Sequence, residues 1–299
     1  MAAKSKKIKH SGADQRLEII LTIAMLIIGL IILYPLIVVL STSFSSPGAV
    51  MSGKVWLFPV DLSLEGYKAV FRTNDVLIGY RNSLFYMVAG TVINLVMTML
   101  AAYPLSRSDM PGQGPIMMIF TFTMIFNGGM IPGYLLIRDL KMLNTVWCML
   151  IPGAISIHNM IIARTFIKSN IPKEMLEASQ IDGCSDIQYF IKMVLPLSGA
   201  VIAVITLYYA IAHWNAYFNA FMYLSDKELY PLQIFLKNIL VSNQVETEML
   251  VDSQVTAVQG VSELLKYSLI VVAIVPVMII YPFVQKHFVK GVMIGAVKG

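Results

Sequence analysis

Residues 208–219 combine aromatic rings with amide and imidazole side chains inside a long apolar run. Amides can pair with hydroxyl groups, and aromatic rings present faces on which the C–H groups of a sugar can stack. The pattern indicates a path for a sugar, although hydrogen bonding between helices remains the plainer alternative for each residue. The candidate path residues, here and in other apolar runs, are Asn127, His158, Asn159, Tyr209, His213, Trp214, Asn215, Tyr217 and Asn219.

The sequence gives little support for a nucleotide, metal, proton-relay or nucleic-acid site. Gly48 to Val55 fits a phosphate-loop pattern only in part, because Val55 stands where Ser or Thr must bind Mg²⁺ and Trp56–Pro59 cannot open a helix. The histidines show no paired ligand spacing, and no predicted span contains a clear carboxylate for a proton relay. We therefore expect no metal, no bound cofactor and no catalytic residue on this chain. The basic balance shows no sign of a nucleic-acid surface.

A polar segment, residues 168–197, separates two apolar runs and is predicted to form two short helices around a glycine; we call it the elbow. Ser169 or Asn170 can cap the first helix, and Pro172 fits its first turn. Glu174 and Glu177 lie where the helix dipole favours negative charge. Glu174, Glu177 and Ile181 follow i, i+3, i+7 spacing and would define one face of this helix.

The second half of the elbow follows a break at Asp182-Gly183, where glycine readily supplies a positive φ. Ser185 can cap a second helix over residues 186–195, and Pro196 would end it. The apolar residues of this second helix are Ile187, Phe190, Ile191 and Val194. An apolar surface on such a protrusion suits docking into a partner's groove, although an amphipathic loop without a partner remains possible.

The composition is that of an integral membrane protein. The 299 residues are 57% hydrophobic and 13% charged, whereas about a quarter of a soluble domain is charged. Apolar runs of about 20 residues predict an all-α protein, since backbone polar groups must pair within lipid. The six predicted transmembrane helices cover residues 18–43, 82–105, 115–137, 146–167, 198–224 and 267–285.

The charges of the loops predict the orientation of these spans. With both termini inside, 13 of the 22 Lys and Arg residues but only 7 of the 17 acidic residues fall on the cytoplasmic side. We therefore expect a cytoplasmic tail over 1–17, a membrane domain over 18–285 and a second cytoplasmic tail over 286–299. The elbow, between spans four and five, then faces the cytoplasm.

The elbow resembles the EAA loop of binding-protein-dependent ABC importer permeases. Glu177-Ala178-Ser179, Asp182-Gly183 and Leu195-Pro196 match its pattern, with Ser179 in place of a second Ala. Trp214-Asn215 resembles carbohydrate permeases of the maltose-permease G type. Phe126–Pro132, with 143–145 and the tail 288–299, resembles the LplC/YtcP branch. The resemblance assigns ATPase coupling to Glu174, Glu177, Ala178, Asp182, Gly183, Phe190, Leu195 and Pro196.

This resemblance implies a permease subunit in a bacterial cytoplasmic membrane. Its partners would be a second homologous permease, two ABC ATPase subunits that hold Mg-ATP, and an extracytoplasmic solute-binding protein. The substrate would be a sugar or oligosaccharide, and uronic-acid-containing oligosaccharides fit the branch. Two rivals remain open from the residues themselves: a self-sufficient secondary transporter and a membrane-embedded enzyme.

Overall fold

The computed structural model describes residues 12–247 and 255–296, and all regular elements in that part of the chain are helical. The all-α prediction is therefore confirmed. The predicted tails, 1–17 and 286–299, lie partly outside the described residues. In chain order the helices are α1 (Gly12–Ser43), α2 (Pro47–Met51), α3 (Glu65–Arg72), α4 (Asn74–Ser106), α5 (Gln113–Ile125), α6 (Met130–Asp139), α7 (Trp147–Leu150), α8 (Ile157–Asn170), α9 (Lys173–Ile181), α10 (Asp186–Tyr189), α11 (Leu195–Leu197), α12 (Gly199–Trp214), α13 (Phe218–Tyr223), α14 (Leu232–Thr247) and α15 (Val255–Ala296).

Several of these helices are long and apolar enough to cross a membrane. Three do so alone by length and composition: Asp14–Ser43, Asn74–Ser106 and Gly260–Pro282. Two bent pairs qualify when each is taken as one span, α5 with α6 at 113° and Asp186–Leu197 with α12 at 80°. The described residues thus give three to five candidate spans. The predicted fourth span, 146–167, is divided between α7 and α8, which have only 4 and 14 residues.

Short polar segments interrupt three of the predicted spans. After α5, the side-chain oxygen of Asn127 accepts a hydrogen bond from the backbone N–H of Gly129 at 2.9 Å, which stabilises a turn. Before α8, Ser156 accepts a bond from Asn159 N and caps the new helix. At the end of α12, the amide of Asn215 donates to the Ile211 carbonyl at 2.9 Å. Side chains that bond to nearby backbone compete with helix continuation.

Among the described residues, one compact unit comprises 12–72, 243–247 and 255–272. Its helix α1 is apolar on all sides, and Met25 near its middle is 75% exposed, as expected for a helix surrounded by lipid. Residues at the C-terminal end of α1 contact α3. The hydroxyls of Ser43 and Tyr67 lie 2.8 Å apart, and the rings of Phe44 and Tyr67 are 5.0 Å apart. These contacts attach α3 to the end of α1.

The second unit comprises the described residues 73–242 and 273–296, and α4 is its central helix, packed against α8 and α12. The approach of α12 is close, because a Cβ on Gly90 would lie 2.4 Å from the His213 ring. Only glycine fits there without movement of the ring. The core between α4, α8 and α12 includes Met99, Ala102, Met160, Ala163 and Ile205. This packing fixes the base on which the elbow is built.

Candidate functional site: the elbow and the break in the fifth span

The elbow folds as two helical stretches joined by a tight turn. Gly183 has φ of +73°, which confirms the left-handed turn predicted there. The N–H of Cys184 donates to the Ser179 carbonyl at 2.9 Å, closing the end of α9. Ser185 caps α10 in a reciprocal capping box with Gln188, so the predicted second cap is also confirmed. Short-range sequence rules are sufficient to form this turn.

The outer ends of the elbow differ from the prediction. Ser169 and Asn170 do not cap the first helix, because they belong to the last turn of α8, where their side chains donate to the Phe166 carbonyl. Pro172 is itself the N-cap residue of α9. Pro196 does not end the second helix. A π-helical stretch, Phe190–Val194, continues α10 into α11, and the chain bends only at Ser198.

The predicted coupling residues lie along this hairpin. Glu174, Glu177 and Ala178 are exposed on α9, and Asp182 is its exposed C-terminal cap. Ser179, the departure from the EAA pattern, is buried, and its hydroxyl donates to the Leu176 carbonyl at 2.7 Å. In the second stretch, Phe190 and Leu195 are half-buried and Pro196 is exposed.

Five large apolar side chains of the elbow are exposed, and the three isoleucines among them are the most exposed. Ile181 is 87% exposed, Ile187 71% and Ile191 55%. Val194, predicted on the same apolar face, is fully buried and packs inward. Isoleucine side chains exposed on a polar protrusion are the feature expected of an interaction surface.

An arginine at the end of α4 joins the elbow to the second span. Arg107 forms ion pairs with Asp186 of the elbow and with Asp109, and it donates to the Tyr103 hydroxyl at 3.1 Å. The Tyr103 ring lies 5.1 Å from the ring of Phe190. Hydrogen bonds from Arg107 lower the pKa of Asp109, and the bond to Asp109 is the main cause of a raised pKa at Arg107. This junction was missed in the sequence, because its partners lie 79 residues apart.

Three candidate path residues are enclosed by protein. The Tyr209 hydroxyl lies 2.6 Å from Thr98 Oγ1 and accepts a hydrogen bond from Ser156 N at 3.0 Å. His213 Nε2 lies 3.2 Å from Asn94 Oδ1. Trp214 is 1% exposed, and its indole N–H donates to the Ala273 carbonyl at 3.0 Å.

These bonds hold neighbouring segments together, so the three side chains take part in hydrogen bonding between helices. Asn94 also donates to the Gly153 carbonyl at 3.1 Å. Asn94 of α4 and Tyr209 of α12 thus both fix the irregular segment 151–156 before α8. The three side chains present little surface to a solute in this structure.

The other candidates are distributed over three places. Asn127 is exposed at the break after α5, and His158 is exposed at the start of α8, where Asn159 is buried. The break between α12 and α13 brings together exposed Asn215 with half-buried Tyr217 and Asn219.

Sequence reasoning missed one cation at this break. The ammonium of Lys237, on α14, lies 4.7 Å from the centre of the Phe221 ring and 6.0 Å from that of Tyr217. The arrangement could therefore contact a solute through amides, aromatic rings and a positive charge.

The family described as "Binding-protein-dependent transport system inner membrane component" matches residues 76–294. The chain belongs to this family. The match includes the elbow, the break in the fifth span and most of the second compact unit. The chain is accordingly a membrane transport component.

Individual relatives agree over nearly the full length. The chain is 40% identical to the polygalacturonan/rhamnogalacturonan transport system permease protein YtcP of Bacillus subtilis, over 92% of this chain and 96% of that protein. It is 37% identical to protein LplC of the same organism, over 91% of each chain. The resemblance to the LplC/YtcP branch is thereby confirmed.

A solved structure is similar over the same extent. It belongs to a bacterial ABC transporter involved in the import of the acidic polysaccharide alginate. The TM-score is 0.85 at 35% sequence identity, and the match covers 94% of this chain and all of the other. The fold described above is therefore that of an ABC importer permease.

Proposed function

We propose that this chain is one permease subunit of an ATP-driven, binding-protein-dependent importer for oligosaccharides in a bacterial cytoplasmic membrane. A second homologous permease completes the path, and two ABC ATPase subunits hold Mg-ATP. An extracytoplasmic binding protein delivers the substrate. The chain crosses the membrane six times with both termini in the cytoplasm, and the elbow faces the ATPases.

The elbow is the observation that carries this proposal. It displays Glu174, Glu177 and Asp182 beside exposed Ile181 and Ile187 on a hairpin whose second helix is capped by Ser185. An amphipathic helical element of this kind fits a hydrophobic groove with a polar rim. The carboxylates would contact polar groups of an ATPase, while the isoleucines would be buried on docking.

The mechanism we infer is alternating access driven by a separate motor. ATP binding brings the ATPases together, and each carries a docked elbow with it. Because the second stretch of the elbow leads directly into α12 at an 80° bend, movement of the elbow tilts the fifth span. The energy source is the differential binding of ATP to two states of the complex.

The substrate class is inferred from the relatives and from the site together. YtcP is named for polygalacturonan and rhamnogalacturonan, and the solved transporter imports the acidic polysaccharide alginate. Amide and aromatic groups at the break in the fifth span suit sugars in general. We propose oligosaccharides that contain acidic sugar units as the cargo.

Reconstitution tests the proposal against a self-sufficient carrier. In proteoliposomes, this chain alone should accumulate no oligogalacturonide under a proton or sodium gradient. The assembly with its partner permease, ATPases and binding protein should accumulate it only when Mg-ATP is supplied. Accumulation by the single chain would favour a secondary transporter, and hydrolysis of the sugar by the single chain would favour an enzyme.

Asn215 provides a residue-level test of the path. We expect Asn215→Leu to lower oligosaccharide uptake by about 10-fold, because a buried hydroxyl of the substrate would lose its hydrogen-bond partner. Uptake by proteoliposomes is the measurement, normalised to the amount of assembled complex. Asn215→Gln, which keeps an amide, is the control for its bond to the Ile211 carbonyl. Unchanged uptake by the leucine variant would remove Asn215 from the path.

A further inference from the structure

Lys237 is held above two aromatic rings at the break in the fifth span. Tyr217 and Phe221 lie one helical turn apart, and their rings are stacked with centres 5.8 Å apart. The Lys237 ammonium lies 4.7 Å from the Phe221 ring centre and 6.0 Å from the Tyr217 ring centre. Both distances are within the range of cation–π attraction.

The rest of the unit fixes this arrangement. The amide of Asn82 on α4 donates to the carbonyls of Glu228 and Tyr230 at 2.7 and 3.1 Å. Ser83 accepts a bond from the N–H of Leu232, the first residue of α14, at 2.9 Å. The Asn144 side chain accepts bonds from the two backbone N–H groups that follow α13. The lysine and the rings therefore sit on anchored elements, as a binding site requires.

Among the described side chains, no carboxylate neutralises the charge of Lys237. Its side chain is half-buried, and none of the ion pairs among the described side chains includes it. Aromatic faces offset part of the cost of removing an ammonium from water, but they do not neutralise its charge. An anion that reached this place would gain a charge-assisted hydrogen bond.

We propose that Lys237, Tyr217 and Phe221 form a binding site for a carboxylated sugar unit. The ammonium would pair with the carboxylate of the uronate. The ring edges and faces would contact the C–H surface of the pyranose. The amides of Asn215 and Asn219, on the same break, would reach neighbouring hydroxyls. This inference rests on the proposed function as an oligosaccharide importer and adds a residue that selects acidic cargo.

A purely structural role for Lys237 makes a different prediction. Its methylene stem could cover the aromatic rings while the ammonium reaches water. In that case the loss of the charge would affect all substrates equally, through packing or assembly. Selectivity between an acidic sugar and its neutral counterpart therefore separates the two roles.

The experiment uses the complete importer in proteoliposomes with Mg-ATP. Uptake of an oligogalacturonide and an oligoalginate is compared with uptake of their carboxyl-reduced, neutral counterparts. Lys237→Met removes the charge with little change in length, and Lys237→Arg retains the charge. The matched control is Lys227→Met, which removes the charge of an exposed lysine between α13 and α14.

We expect Lys237→Met to lower uptake of at least one acidic oligosaccharide about 10-fold more than uptake of its neutral counterpart. Lys237→Arg should keep at least half of the acidic uptake, and Lys227→Met should match the unmodified complex. Equal losses for both substrates, or no loss, would overturn the site. An unmodified complex that carries only neutral sugars would also overturn it while leaving the importer function intact. ATP-independent uptake, or none of any probe, would instead contradict the proposed function.

Discussion

Replacing Gly183 with proline is expected to reduce ATP-driven uptake to background while the chain still reaches the membrane. Gly183 has φ of +73°, and proline is fixed near −65°. Proline would also remove the N–H that donates to the Gln180 carbonyl at 3.0 Å. In addition, it would disfavour the present conformation of Asp182, which has φ of −76° and ψ of 5°. The two halves of the elbow could not keep their angle.

Gly183→Ala is the matched control, because alanine can adopt a positive φ at a modest cost whereas proline cannot. A Cβ on Gly183 would meet no atom within 4 Å, so the only penalty is the left-handed backbone, roughly 1–2 kcal/mol. We expect Gly183→Ala to retain much of the uptake that Gly183→Pro loses. Both variants are measured by ATP-driven uptake, by co-purification of the ATPases and by the amount of chain in the membrane.

A charge change tests docking without altering the turn. Glu177 is exposed on α9, so Glu177→Lys should leave the hairpin folded but weaken its contact with an ATPase. Reduced co-purification and reduced uptake are expected together. Normal ATP-dependent uptake in both Gly183→Pro and Glu177→Lys would refute the idea that the elbow transmits the movement of the ATPases.

The parts of the elbow that the sequence predicted correctly depend on neighbouring residues alone. Gly183 and Ser185 act through backbone bonds to residues within a few positions, and such local patterns can be read directly. The boundary at Pro172 was wrong for a related reason. The prediction could not show that α8 continues through Asn170, because Ser169 and Asn170 suit a helix end as well as a cap.

The fifth span shows where prediction from the sequence stops. In an almost wholly apolar helix, no polar face marks the side that meets protein. Tyr209, His213 and Trp214 were therefore grouped with Asn215 and Tyr217, although the first three are buried between helices. The partners that decide this, such as Asn94 and Ala273, are distant in sequence. Lys237 was missed because it lies on α14, outside the predicted fifth span, and its contact with the Phe221 ring joins residues distant in sequence.

Loss of the Arg107–Asp186 ion pair is expected to uncouple ATP hydrolysis from transport. Between the elbow and the ends of α4 and α8 lies a cavity of about 220 Å³, lined in part by Lys168, Lys173 and Leu176. Arg107 is one of the residues that line this cavity, and it joins the elbow to the end of α4 there. A movement of the elbow would reach the second span through this ion pair and through the packing of Tyr103 on Phe190.

Arg107 pairs with both Asp186 and Asp109, so each carboxylate can be changed separately. Asp186→Asn breaks the pair between the elbow and α4, whereas Asp109→Asn breaks only the pair that Arg107 makes two residues away. Arg107 is 15% exposed, but Asp186 is 65% exposed, so solvent screens the pair and its contribution to stability is at most about 1 kcal/mol. Loss of function in Asp186→Asn would therefore not reflect unfolding of the chain.

We expect Asp186→Asn and Arg107→Gln to lower uptake by about 5-fold, the factor that corresponds to roughly 1 kcal/mol, while ATP hydrolysis by the complex continues. Asp109→Asn should transport like the unmodified importer, because Arg107 keeps its bond to Asp186. The ratio of sugar imported to ATP hydrolysed is the measurement. Parallel losses of uptake and hydrolysis in all three variants would mean that Arg107 only supports the local fold. An unchanged ratio in Asp186→Asn would place the transmission elsewhere, in the 80° bend between the elbow and α12.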